Sequence, residues 1–556
     1  MERTWWKEAI GYQVYPRSFQ DSNGDGFGDL QGMIQRLDYL QELGIDFIWI
    51  CPMYKSPLDD NGYDISDYQD ILEDFGTMAD FDELLREVHK RGMRLIIDLV
   101  LNHTSDEHPW FIESRSAKDN PKRDWYIWRD GKDDQEPNNW ESIFGGSAWE
   151  YDKKTEQYFL HVFSKRQPDL NWENSDVRTA LYDMVNWWLD KGVNGFRIDA
   201  ISHIKKRPGL PNLPNPDEKK YVPSFDMHMN QEGIHEFLQE YKEQTYDNYP
   251  DTMTVGEANG VSVDEAHLWV GENGKMDMVF QFEHLDLWDH EVGGGGLNII
   301  ELKNALTRWQ KGLEHDGWNA LFIENHDKAR VVSTWGDDKQ YWRESATALG
   351  AMYFLMKGTP YIYQGQEIGM TNIYFNNIEE YNDVAAKNMY REKIADGDSP
   401  QEIINVLAHT SRDNSRTPMQ WSDDANGGFT TGEPWLKVNP NYKDINVEKQ
   451  QGDDRSILQF YKKMIQLKKK HDIFTYGSYD LLMDEDTQVF SYKREFNGQT
   501  ALVITNLTAE SAVWIKEENS IAVSSNQLVL ANIDVDEHDS SASITLKPFE
   551  ARVYLY

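Results

Sequence analysis

Eight short apolar segments, each of strand length, constrain the fold of this sequence more narrowly than anything else in it. They run from Gly11 to Phe19, Asp46 to Pro52, Met93 to His103, Gly195 to Ala200, Met253 to Ala258, Met278 to Phe282, Asn319 to Asp327 and Thr359 to Glu367. Amphipathic stretches precede the second and third. One of them, Asp82 to Arg91, has the apolar spacing of a surface helix and stops at Gly92. Strands alternating with helices lie parallel, and eight such units close into a (β/α)8 barrel of the α/β class.

The alternation fails in two places. From Thr104 to Glu173 the chain is polar and rich in Trp, Asn, Asp and Pro, which predicts a subdomain inserted after strand three, over residues 104–173. The barrel domain then comprises residues 1–103 and 174–478. Within it, the irregular stretch from Gly369 to Asp454 is expected to cap the barrel mouth. After a basic helix from Phe460 to Lys470, short alternating segments such as Gln488 to Arg494 and Thr500 to Thr505 predict an antiparallel β-sandwich over residues 479–556.

Bulk properties exclude several classes of function. The 556 residues carry 56 Lys and Arg against 95 Asp and Glu, a net charge of -39 that repels nucleic acid, anionic membranes and polyanionic substrates. No run of 18 apolar residues occurs, and charges interrupt the first ten residues where a signal peptide needs an apolar core, so a cytoplasmic location is expected. The single cysteine, Cys51, rules out an intrachain disulfide, and its apolar neighbours predict a buried thiol. Aromatics make up 13% of the chain, with 20 Trp, a composition that suits contact with sugar rings although most of these residues should be core.

Four segments end in groups that do chemistry: Asp98-Leu-Val-Leu-Asn-His103, Gly195-Phe-Arg-Ile-Asp-Ala200, Val255-Gly-Glu-Ala258 and Phe322-Ile-Glu-Asn-His-Asp327. In a barrel these strand ends share one rim, so Asp199, Glu257 and Asp327 can meet in one pocket. Glycosidic cleavage with retention needs a carboxylate nucleophile and a carboxylic acid about 5–5.5 Å apart. Arg197, two positions before Asp199, points to the same side of the strand and favours an ionised nucleophile there. Glu257 follows Val255-Gly256, an apolar setting that suits the group donating a proton to the leaving oxygen. Asp327, beside His326, is left to hold sugar hydroxyls and stabilise developing positive charge. A separate loop, Asp21-Ser-Asn-Gly-Asp-Gly-Phe-Gly-Asp29, offers oxygens from Asp21, Asn23, Asp25, the Phe27 carbonyl and Asp29 to a hard cation. It lacks the Glu of a calcium loop's twelfth position, where Gly32 stands.

Taken together these residues closely resemble the alpha-amylase family of glycoside hydrolases, and within it the oligo-1,6-glucosidase and alpha-glucosidase group. Gln167-Pro-Asp-Leu-Asn171 and the segment Arg412 to Trp421 add to the match, which covers essentially the whole chain. The resemblance implies a double-displacement retaining mechanism with Asp199 as nucleophile, Glu257 as acid/base and Asp327 as transition-state stabiliser. It places Tyr63, Asp64, His103, Arg197 and His326 around the terminal glucose, with Phe144, Phe163 and Gln167 of the inserted subdomain as further lining. Arg412 is expected to close the pocket against Asp64, giving exo-action on short oligosaccharides by a monomer. The loop Asp21 to Asp29 matches the group's structural calcium site, and catalysis needs no cofactor.

Linkage preference is read from Ala200. In this group Val after the nucleophile goes with α-1,6 and a smaller residue with α-1,4 acceptance, so maltose and maltooligosaccharides are expected first, with α-1,6 activity and transglucosylation beside them. Lys328 departs from the usual Gln or Leu. The alternatives are an oligo-1,6-glucosidase, a trehalose 6-phosphate hydrolase using Lys328 or Lys205-Lys-Arg207 for phosphate, and a sucrose isomerase. A non-catalytic transporter subunit is disfavoured because all three acids are present and no membrane anchor is.

Overall fold

The structure is a computed structural model describing residues 3–133, 135–289, 297–515, 521, 523–535 and 542–556. Its centre is a sheet of eight parallel strands: β1 (Gly11–Val14), β2 (Phe47–Ile50), β3 (Arg94–Val100), β4 (Gly195–Asp199), β5 (Met253–Glu257), β6 (Met278–Phe280), β7 (Ala320–Leu321) and β8 (Thr359–Tyr363). They pair in the order β6-β5-β4-β3-β2-β1-β8-β7, and a parallel bridge from Val279 to Asn319 joins the two ends into a barrel.

Strand alternation sorts the side chains. Along β2, Phe47 and Trp49 belong to an inner cluster with Ile96, Val255, Phe280, Phe322 and Tyr361, whereas Ile48 and Ile50 face the large outer core under the helices. That two-sided burial explains near-continuous apolar strands. The helices have local stop and start signals. Met78–Lys90 begins with a capping box between Thr77 and Asp80, and Ser175–Lys191 ends at Gly192, whose φ of 99° suits glycine. The helix expected from Asp82 is thus one turn longer at its start.

Paired strands are shorter than the apolar segments suggested. Asn319 to Asp327 contributes only Ala320–Leu321 to the ladder. Beyond it, backbone groups bond to side chains: Glu324 accepts from the Val331 N–H at 2.8 Å and Asn325 from the Asp327 N–H at 2.9 Å. The rim carries chemistry because its backbone has left the sheet.

Between β3 and β4, strands Trp128–Arg129, Gln157–Leu160 and Trp149–Asp152 form a small antiparallel sheet. Towards the C-terminus, a five-stranded antiparallel sheet containing Val489–Phe496, Gln499–Asn506 and Ala551–Leu555 packs against the pair Ala512–Ile515 and Ser543–Leu546. Val489, Leu502, Ile504, Trp514, Ile544 and Leu546 are buried between them. Cys51 is buried, as expected, and burial pushes its thiol well up. Among the described residues no helix is long and apolar enough to cross a membrane.

Candidate active site

Asp199 and Glu257 are the last residues of β4 and β5 and Asp98 lies two residues before the end of β3, and Arg197 lies between the three. Its Nη1 is 2.7 Å from Asp199 Oδ1 and 2.9 Å from Asp98 Oδ1, and its Nη2 is 3.0 Å from Glu257 Oε2. One guanidinium therefore sets nucleophile and acid candidates on its two neighbouring nitrogens, a spacing suited to a short carboxyl separation. The Glu257 surround is not the apolar one expected from Val255-Gly256: besides Arg197, the Ala200 N–H donates to its Oε2 at 2.8 Å.

Three buried carboxyls share that single cation. Burial pushes Asp199 well above the usual carboxylate range, Arg197 pulls it down, and the charges of Glu257 and Asp98 push it up again. Burial likewise lifts Asp98 to about 6. Arg197 thus pulls Asp199 towards ionisation, as expected from the sequence, against burial and the neighbouring carboxyl charges, which push the other way. A retaining reaction needs one ionised carboxyl and one protonated carboxyl side by side.

Asp327 is wired to the same cluster through Tyr63 and His326. The Tyr63 hydroxyl donates to Asp98 Oδ2 at 3.0 Å and lies 2.6 Å from His326 Nε2, which is 3.2 Å from Asp327 Oδ2. Burial alone would raise Asp327, but His326, Arg412 and Arg416 hold it well below the usual range. Burial lowers His326 to about 3 and His103 to about 4, so both are neutral imidazoles near pH 7. Asp327 is the opened member of the set, with its side chain 31% exposed.

The remaining predicted lining converges as well. His103 Nε2 lies 3.1 Å from the Tyr63 carbonyl and 3.2 Å from Gln167 Nε2, and its ring meets Phe163 at 5.1 Å. Phe144 packs on Phe163 at 5.7 Å and lies under the Arg412 guanidinium at 4.9 Å. The inserted subdomain thus supplies one wall.

Asp64 is the exception. It is fully buried and accepts from the backbone N–H groups of Asp59 at 2.8 Å and Asp60 at 3.0 Å, and burial lifts it to about 7. It shapes the loop and does not meet Arg412. The acid of this loop that meets Arg412 is Asp60, at 3.1 Å, which also accepts from Gln167 at 3.1 Å. The run Asp59-Asp60-Asn61-Gly62-Tyr63-Asp64 has three acids, and only the loop's conformation tells which one faces the pocket. Two more residues were missed: Asp383, 2.6 Å from Arg412, and Arg416, 2.9 Å from Asp327. Arg416 lay within the segment quoted from Arg412 to Trp421. Asp383 sits in irregular sequence with no periodic signal.

The loop Asp21 to Asp29 folds on its own backbone. Asp21 accepts from the N–H groups of Asn23, Gly24 and Gly26 and from the Thr430 hydroxyl, and Asp29 accepts from Ser22 and Gly32. Asn23 and Asp25 bond to each other at 2.9 Å. Among the described residues no three His, Cys, Asp or Glu side chains converge on a metal position.

Residues 13–477 match the family model described as the alpha amylase catalytic domain. The chain belongs to the alpha-amylase family. This family member is 57% identical over 557 residues to the probable oligo-1,6-glucosidase 3 of Bacillus subtilis, covering all of both chains. It is 53% identical to the oligo-1,6-glucosidase of Parageobacillus thermoglucosidasius, covering 100% of this chain and 99% of that one. Among solved structures it resembles trehalose-6-phosphate hydrolase of Bacillus licheniformis, at 43% identity and a TM-score of 0.90 over the full length of both.

Proposed function

We propose that the protein is a retaining, exo-acting α-glucosidase that releases α-glucose from the non-reducing end of short α-1,6-glucosides. The observation that carries the reading is the Arg197 guanidinium holding Asp199 and Glu257 at 2.7 and 3.0 Å, facing a pocket closed by Arg412 on Asp60. Asp199 attacks the anomeric carbon, forming a C–O bond to the enzyme as the glycosidic C–O bond breaks. Glu257 gives its proton to the departing oxygen. Glu257 then takes a proton from water, which displaces Asp199 from the same carbon, so the configuration is retained. Asp327 faces the positive charge that develops on the ring.

The α-1,4 lean drawn from Ala200 finds no support among the relatives, which favour the α-1,6 alternative. The structure supplies a second reason for a small residue there. Ala200 lies in the left-handed region at φ 44°, where β-branched side chains are disfavoured, and its N–H holds Glu257. Its size is therefore set by the backbone as well as by the aglycone. For the phosphate alternative, Lys205 and Lys206 are already paired, with Glu173 at 2.7 Å and Asp169 at 2.6 Å. Initial rates on isomaltose, maltose, sucrose and trehalose 6-phosphate test the reading, with NMR of the first-formed anomer. Isomaltose should be cleaved fastest, giving α-glucose; faster cleavage of maltose or trehalose 6-phosphate, or β-glucose as first product, overturns it.

The loop Asp21 to Asp29 fits calcium by donor chemistry, since Asp21, Asn23, Asp25, Asp29 and the Phe27 carbonyl each carry an oxygen donor. Calcium held there would be structural, tying the loop after β1 to Thr430, and no step of the reaction runs through it.

A further inference from the structure

Arg412 contacts three carboxylates, and unequally. To Asp383 it donates through Nη2 at 2.6 Å and Nε at 3.0 Å; Asp60 receives one contact at 3.1 Å and Asp327 one at 3.4 Å. Both contacts to Asp383 converge on one oxygen, Oδ1, and this charge-assisted pair is the shortest of the three and holds the Nε–Nη2 edge of the Arg412 head.

Asp383 is itself immobilised. Its side chain is 2% exposed, and its Oδ1 accepts from the Ala385 N–H at 3.0 Å, capping helix Val384–Asp396. Its own N–H, with that of Asn382, donates to Asp413 Oδ2 at 2.9 and 2.7 Å. Asp60, by contrast, belongs to the loop between β2 and β3 and shares its other oxygen with Gln167 of the inserted subdomain. The Nη2 of Arg412 is thus shared, held closely at 2.6 Å by the Asp383 that caps a helix and more loosely at 3.1 Å by the Asp60 of the pocket lip.

We propose that Asp383 is the positioning residue of the pocket lid: it keeps Arg412 poised over Asp327 while the Arg412–Asp60 contact opens and closes around the terminal glucose. The asymmetry of the contacts makes Asp60 the latch and Asp383 the anchor. This inference rests on the glucose-pocket reading above but not on the linkage preference, because every substrate of such a pocket must pass the same lid. Without the anchor, Arg412 would swing between Asp60, Asp327 and solvent, and the pocket would bind every α-glucoside more weakly without losing its acids.

The test is a double-mutant cycle. Asp383→Asn keeps the cap on Ala385, since Asn caps helices as well as Asp does, but removes the charge that grips Arg412. In an otherwise native enzyme it should raise KM for whichever α-glucoside is cleaved best by about tenfold or more, with kcat within about threefold and an unchanged circular dichroism spectrum. In an Arg412→Ala background the same substitution should change KM by less than about twofold, because the group it acts through is gone. Equal effects in both backgrounds, or a KM unchanged by Asp383→Asn alone, overturn the proposal. If no α-glucoside is cleaved by the native enzyme, the function reading fails; glucose binding by calorimetry across the same four proteins then tests the anchor on the same criterion.

Discussion

Arg197 donates toward three carboxyl groups at once, and because a guanidinium keeps its charge at any working pH, every substitution there redistributes the cluster's proton. Asp199 must be ionised to attack, and burial already lifts it, so activity should fall as pH drops, from a limb above the ordinary carboxylate range. Arg197 opposes that lift. Arg197→Gln should therefore move the acid limb of the kcat/KM profile to higher pH as well as lower its plateau; a limb shifting to lower pH contradicts the charge balance. Asp199→Asn should abolish turnover with the fold intact by circular dichroism, and retained activity would sink the nucleophile assignment. A paired comparison separates the two acids of one loop: Asp60→Asn should raise KM by about tenfold by weakening the latch against Arg412, whereas Asp64→Asn should lower Tm and leave KM within about twofold.

At the scale of elements, strand count, strand order and the rim position of the acids were all legible, because apolar strands between amphipathic helices admit few topologies. Less legible was where each ladder stops. The apolar run through Phe322 and Ile323 looks like strand, but His284 takes the Phe322 carbonyl, Glu324 and Asn325 bond the backbone that follows, and side-chain competition of this kind has no periodic signature. The same reason hid Asp60: a loop's facing depends on which carboxylate turns inward onto its own N–H groups, and Asp64 does so. Asp383 needed tertiary structure outright, since it lies 29 residues from Arg412 in the chain. For the loop Asp21 to Asp29, a chelator should lower Tm and calcium should restore it, with little loss of rate while the enzyme stays folded. A melting curve indifferent to both would remove the cation from that loop.

Two features act on the molecule as a whole. A net charge of -39 repels itself, and salt screens it within about 10 Å at 0.1 M, so Tm should climb as sodium chloride rises from about 10 mM to 0.5 M. A flat or falling Tm would show the acids to be locally compensated. The second feature joins the C-terminal sheet to the barrel. Arg494 is fully buried and donates to the carbonyls of Leu355, Phe474, Gly477 and Ser478; burial lowers it to about 10. Arg494→Met strands those carbonyls and should cost at least about 3 kcal/mol, seen as a lower Tm or an early transition in calorimetry. Unaltered melting would mean that the two layers hold together without it.

The left-handed peptide at Ala200 ties two properties of the enzyme to a single backbone hinge. Whoever enlarges that side chain to retune which bond is accepted also strains the amide that aims the proton donor, so selectivity and turnover rate should prove inseparable at this position, and variants evolved for one should carry a signature in the other.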